Sequence, residues 1–151
     1  MTRSSDARGD ADTLRSFEDI AGVIGGTLDR TLIARLGIEV IEASPEKVRA
    51  RMPVDGNLQP FGILHGGATA ALCETVGSIG ASLASPTHMA VGIELNVNHL
   101  RAVGAGWITA SGSPVHSGRT IAVWDMRVTD DDDRLIAVGR LTLSVREQPQ
   151  S

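Results

Sequence analysis

Between Asn57 and Ser78 the chain reads N-L-Q-P-F-G-I-L-H-G-G-A-T-A-A-L-C-E-T-V-G-S, which sets Gln59, His65, a glycine pair and Glu74 around the start of one helix. These are the groups that attack on an acyl carbonyl needs: donors that hold a developing oxyanion, and an acid that attacks or activates water. His65-Gly66-Gly67 lies between an apolar run, Phe61 to Leu64, and a small-residue run, Ala68 to Ala84, that is free of proline and long enough for about five helical turns. The glycines therefore fall at a helix N-terminus. Backbone N–H groups there lack intrahelical partners, the macrodipole is positive, and no Cβ keeps a ligand away.

A carboxylate in the apolar run around Cys73 and Thr75 loses hydration unless it has a use or a partner. Ser78, four residues on, shares a helix face with Glu74 and can donate a hydrogen bond that orients it. The plainer alternatives are a solvent-facing Glu74 and a serine bonded to its own helix backbone. His65 alone reads as a capping or core histidine and Gln59 alone as a loop amide. Together, just before the helix, they add side-chain donors to the backbone amide. Gly66 and Glu74 are eight residues apart, about 12 Å along a helix, whereas donor and attacking group must both come within roughly 3–3.5 Å of one centre. One helix cannot supply both, but two antiparallel copies related by a two-fold axis can. No Ser-His-Asp constellation and no G-x-S-x-G elbow occurs.

The elements that must position these groups follow from periodicity. Leu14, Phe17, Ile20, Ala21 and Ile24 recur at helical spacing from Thr13, with Gly25-Gly26 as a stop, and a helical turn is expected over Asp29 to Arg35. Alternating runs Gly37 to Ala43 and Lys47 to Val54 flank Ser44-Pro45-Glu46 and predict a hairpin. After the long helix come four extended runs, Met89 to Ala102, Gly106 to His116, Thr120 to Thr129 and Leu135 to Arg146. Their short separators favour antiparallel neighbours. The long helix carries Ala or Gly at 68, 70, 71, 77, 80, 81 and 84, so it can be approached closely on several sides, as when a curved sheet wraps around it. The expected class is α+β, an antiparallel sheet around a long central helix. Residues 1–12 have no periodicity and read as a disordered leader, with residues 13–148 as one domain.

At 151 residues and 42% hydrophobic content the chain can build one core. A net charge of −4 gives no basic field to draw in nucleic acid, and two Phe, two Trp and no Tyr offer few stacking platforms. The single cysteine, Cys73, excludes an internal disulfide and a multi-thiolate metal site, and core packing is its expected role. No signal core or bilayer-length apolar window is evident, so a cytoplasmic protein without membrane or nucleic-acid partners is expected. The acidic run Asp130 to Asp133 reads as a solvated turn, and Arg134 as solvated with it.

The block from Gln59 to Ser78, followed by V-G-I-E-L-N-V-N-H-L-R-A-V and later by H-S-G-R-T-I-A-V-W, resembles the hotdog-fold thioesterases of the phenylacetate-pathway type. Within them it is most similar to the glutamate-using branch, which includes 4-hydroxybenzoyl-CoA, 1,4-dihydroxy-2-naphthoyl-CoA and enterobactin-pathway proofreading thioesterases. Another branch carries Asp where Glu74 stands. The likeness covers roughly residues 30–146. It implies a hotdog fold and acyl-CoA hydrolysis, with Glu74 as nucleophile or general base, Gly66 as oxyanion donor, Gln59 and His65 positioning the thioester, and Ser78 as a water or carboxylate partner. It also implies substrate and CoA contacts at Gly92, at His99, Leu100, Arg101 and Ala102, and at His116, Ser117, Gly118, Arg119, Thr120 and Ile121. Arg101 and Arg119 suit the CoA phosphates, since a guanidinium offers a fork of donors, and Gly118 adds backbone N–H groups beside Arg119. Leu58, Phe61, Met89 and Leu83 are the expected pocket walls.

The resulting expectation is a homodimer with a continuous sheet, or a dimer of dimers (homotetramer), that hydrolyses an acyl- or aryl-CoA. It needs no metal and no cofactor, CoA being part of the substrate. The rivals are a non-catalytic acyl-CoA-binding or sensing module on the same fold, and an enoyl-ester hydratase.

Overall fold

The computed structural model describes residues 13–148; the leader expected over residues 1–12 lies outside them. The chain runs α1 (Phe17–Ile24), α2 (Leu32–Leu36), β1 (Glu39–Ala43), β2 (Val48–Pro53), α3 (Gly66–Ala84), β3 (His88–His99), β4 (Trp107–Ser117), β5 (Ile121–Asp130) and β6 (Leu135–Glu147). The six strands form one antiparallel sheet in the order β1-β2-β4-β5-β6-β3. The α+β class and the expected element order are what the chain adopts.

Alternation sets the inner face of the sheet. Val48, Ala50 and Met52 on β2, Ile108 and Ala110 on β4, Ala122, Trp124, Met126 and Val128 on β5, and Leu141 and Leu143 on β6 are buried, because residues two apart share a face. This face packs on α3 through Leu72, Cys73, Val76, Gly77 and Gly80. A Cβ on Gly80 would collide with the Trp124 ring, and one on Gly77 would lie 2.7 Å from Leu141 Cδ2. The glycines therefore let helix and sheet approach more closely than any larger residue would permit. The buried Cys73 thiol is pushed up to about 12 by desolvation and packs as a small apolar group.

Element ends differ from the sequence expectation for local reasons. Ser16 caps α1 by accepting from Asp19 N, so the helix starts there, and Leu14 instead exchanges backbone bonds with Ala43 at 2.9 and 2.7 Å. Thr31 caps α2 by accepting from Ala34 N, which delays that helix to Leu32. β3 stops at His99 because the N–H groups of Leu100 and Arg101 both turn to Ile136 O. Asp130 is a correction: it is buried and accepts from Asp132 N, Arg134 N and Arg134 Nε. Burial acts to raise its carboxyl, but these bonds outweigh it and hold it below the usual range. The turn is pinned from inside, and Arg134 pairs with Asp130 and Asp132.

Candidate functional site

The approach to α3 is an ordered loop. Asn57 is buried, its Nδ2 donating to Leu36 O and Pro53 O at 2.9 Å each, and its carbonyl accepts from His65 N. It ties the loop to the ends of α2 and β2. Gln59-Pro60-Phe61-Gly62 makes a turn closed by Gly62 N on Gln59 O at 3.0 Å, with proline where a type I turn favours it. Gln59 Oε1 accepts from Phe61 N at 3.1 Å. The side-chain NH2 of Gln59 is thereby left to donate elsewhere.

His65 is the N-cap of α3: its Nδ1 accepts from Gly67 N at 2.8 Å. In the neutral ring the proton then sits on Nε2. The two glycines are the first residues of the helix rather than its approach. With the Gly67 amide used by the cap, the Gly66 N–H has no hydrogen-bond partner among the described residues. It lies in the first turn, where the helix dipole favours negative charge. The imidazole of His99 lies against Gly66, 2.9 Å from where a Cβ would stand. Gln59, Gly66, Thr69, His99, Leu100, Arg101 and Ala102 line one cleft of about 350 Å³.

Glu74 is not in that cleft. With Ser78 it lines a separate cavity of about 280 Å³ whose other walls include Phe17, Ile24 and Ile33. Glu74 is half-buried, and desolvation raises its carboxyl above the usual range. Gly92 of β3 sits directly beneath it, so that a Cβ there would run into Glu74 Oε1. Gly92, expected at a substrate contact, is thus placed as the seat of this carboxylate.

The residues from His116 to Ile121 cover the end of β4 and its turn into β5, closed by Gly118 N on Ile121 O at 2.9 Å. Ile121 pairs with Ser144, which in turn pairs with Val91. That turn is therefore at the Gly92 end of the sheet, whereas His99 pairs near the opposite end with Ala137. The expected residues form two groups within one chain: Gln59, Gly66 and His99 to Ala102 at one end, Glu74, Ser78 and Gly92 at the other.

Within one chain the expected pocket walls do not line the Glu74 cavity. Leu83 is a core residue: nine positions from Glu74 at 100° each place it on the opposite side of the helix. Phe61 is 88% exposed and, like Leu58 and Met89, does not line the Glu74 cavity. Thr69, Phe17, Ile24 and Ile33 were not anticipated as lining residues. The only available signal was the apolar spacing of α1, which says that it packs but not on what.

A six-stranded antiparallel sheet wrapped on a long small-residue helix, with an unpartnered amide at the helix start and a desolvated carboxylate on its flank, defines a hotdog-fold hydrolase. The family pattern described as Thioesterase superfamily matches residues 61–137. ComA2 of Bacillus subtilis, an esterase by name, is 46% identical over 121 residues, spanning 78% of this chain and 96% of that protein. The 1,4-dihydroxy-2-naphthoyl-CoA hydrolase of Listeria monocytogenes is 35% identical over 115 residues, 75% of this chain and 94% of its own length. A crystal structure of a Haemophilus influenzae thioesterase superposes with a TM-score of 0.77 at 40% identity, covering 81% of this chain and 87% of the other. The chain belongs to the thioesterase superfamily and is a thioesterase enzyme of the hotdog fold.

Proposed function

We propose that the protein hydrolyses an acyl-CoA at a site shared between two copies of the chain. The Gly66 N–H and the Gln59 amide of one copy polarise the thioester carbonyl, and Glu74 of the other attacks the carbonyl carbon or takes a proton from the attacking water. If Glu74 attacks, the C–S bond breaks as a Glu74–acyl anhydride forms, and water then hydrolyses that anhydride; if it acts as base, water forms the C–O bond directly as the C–S bond breaks. On either route a proton from water ends on the thiolate, and the products are the free acid and the CoA thiol. The separation of the Gly66 cleft from the Glu74 cavity in one chain carries this reading. Oxyanion donor and attacking group must lie within roughly 3–3.5 Å of one carbon, so a second copy has to bring them together.

The sheet supports such a pairing. Its β1 edge is five residues long and flanked by Leu14, but its β3 edge runs for twelve residues with no strand on the outer side among the described residues, and Ile93 on it is 59% exposed. A long bare edge with apolar side chains is a template for strand pairing. Two copies joined there form the dimer, and a dimer of dimers is the larger assembly to look for. Arg101, in the Gly66 cleft, and Arg119, in the β4–β5 turn, are the groups assigned to the CoA phosphates.

The Listeria relative makes 1,4-dihydroxy-2-naphthoyl-CoA the first substrate to assay, with benzoyl-CoA beside it. The test is thiol release with Glu74→Gln, which keeps the shape and removes the charge. A loss of about 10³-fold or more in kcat is expected, since nothing else near the carbonyl replaces the base or nucleophile. A variant as fast as the parent refutes the assignment, and tight acyl-CoA binding without thiol release by the parent would identify a binding module.

A further inference from the structure

Glu74, Ser78 and Ser82 stand at i, i+4 and i+8 of α3, a stripe beside the one that faces the sheet. This stripe is flanked by the N-terminal helices. Phe17 and Ile24 of α1 and Ile33 of α2 meet it around the cavity of about 280 Å³ that holds the Glu74 and Ser78 side chains. α1 is anchored there by Ile20, which is fully buried. Its cap at Ser16 fixes where the helix begins, and Gly25 ends it. The N-terminal helices thus hold three apolar side chains against the flank of the carboxylate.

We infer that this cavity is the acyl pocket and that Phe17, Ile24 and Ile33 determine which acyl groups the enzyme accepts. The inference rests on the role given to Glu74 above. If that carboxylate works on the thioester carbon, the group bonded to that carbon must occupy the space adjoining the carboxylate, and this cavity is that space. Its walls are mainly apolar, which suits an acyl group and not the polar CoA arm. Its volume is near the lower end of the range for small-molecule pockets, roughly 300–1,000 Å³, which matches a compact aromatic or branched acyl group, and α1 is the wall that an extended alkyl chain would meet. Ser82, two turns from Glu74, gives the far end one hydroxyl for a polar substituent. The partial desolvation that raises the Glu74 carboxyl agrees with an apolar lining beside it.

The test compares kcat/KM for benzoyl-CoA, 2-naphthoyl-CoA and dodecanoyl-CoA. Phe17→Ala and Ile24→Ala should each raise the dodecanoyl-to-benzoyl ratio by about 10-fold or more, the scale on which apolar pockets discriminate by size. Ile33→Trp should lower the naphthoyl-to-benzoyl ratio by a similar factor. Val23→Ala, an exposed neighbour on α1 that does not line the cavity, should leave both ratios within about 2-fold of the parent. Should the α1 and α2 variants fail to fold, Ser82→Phe fills the cavity from α3 and must lower the naphthoyl-to-benzoyl ratio. Folded, active variants with the parent's ratios overturn the inference. Failure of the catalytic reading shows separately, as thiol release that survives Glu74→Gln.

Discussion

Glu74 illustrates how much a single side chain depends on what touches it. Its neighbour across the sheet edge is a glycine, and the carboxylate occupies the space a Cβ at position 92 would take. Gly92→Ala should therefore displace the carboxylate while leaving the strand intact. A fall of about 10²-fold in kcat is expected from a shift on the order of 1 Å at the reacting group, read in steady-state kinetics with the melting temperature as control. Burial raises the carboxyl above its ordinary 4.5. In the proposed reaction Glu74 acts ionised, so kcat/KM should fall as pH drops, with its acid midpoint above 4.5. The same shift has a stability sign. A carboxyl whose folded value lies above its unfolded value opposes folding once ionised, so the penalty is absent below 4.5 and complete above the raised value. Glu74→Gln should then melt higher than the parent at pH 7, with the gap closing as pH falls toward 4.5.

At the scale of elements, α3 is small because the sheet lies so close to it. Alanine at position 80 would gain helix propensity of up to about 1 kcal/mol but would drive a Cβ into the rigid, fully buried ring of Trp124. Overpacking of this kind costs roughly 1–3 kcal/mol, so Gly80→Ala should lower the denaturant midpoint. Gly77→Ala should cost less, because the atom it meets is the flexible end of Leu141. The element order and the strand alternation were legible because periods of 3.6 and 2 are written locally. The start of α3 was less so. His65 as the cap, and hence Gly66 as the residue with the spare amide, depends on the imidazole folding back onto Gly67 N, and no spacing rule encodes that rotamer.

For the molecule as a whole, the proposal of a shared site makes a test that single variants cannot make. Gln59→Ala damages the Gly66 half and Glu74→Gln the other half. In a mixed dimer of the two, one site is doubly damaged and the other intact. Unfolding and refolding an equimolar mixture should recover about a quarter of parental activity, because half the dimers are mixed and each holds one good site of two. Recovery no greater than the average of the two inactive proteins would put both halves in one chain. Charge introduced on the open edge, as Ile93→Lys, should shift sedimentation toward monomer and reduce activity with it.

The sequence by itself determined the class of fold, the extent of the long helix and the separation of Gly66 from Glu74 along it, since these follow from periodicity and from 1.5 Å per residue. It also identified the family, because Gln59, His65, Glu74 and Ser78 lie within twenty residues of one another. Only the tertiary structure decided that Gly92 seats the carboxylate, that Asp130 is buried, and that α1 and α2 wall the Glu74 cavity. Those contacts join residues far apart in the chain. Their physical basis is which face of one element meets which face of another, and local sequence pattern says that a face is apolar without saying what will cover it.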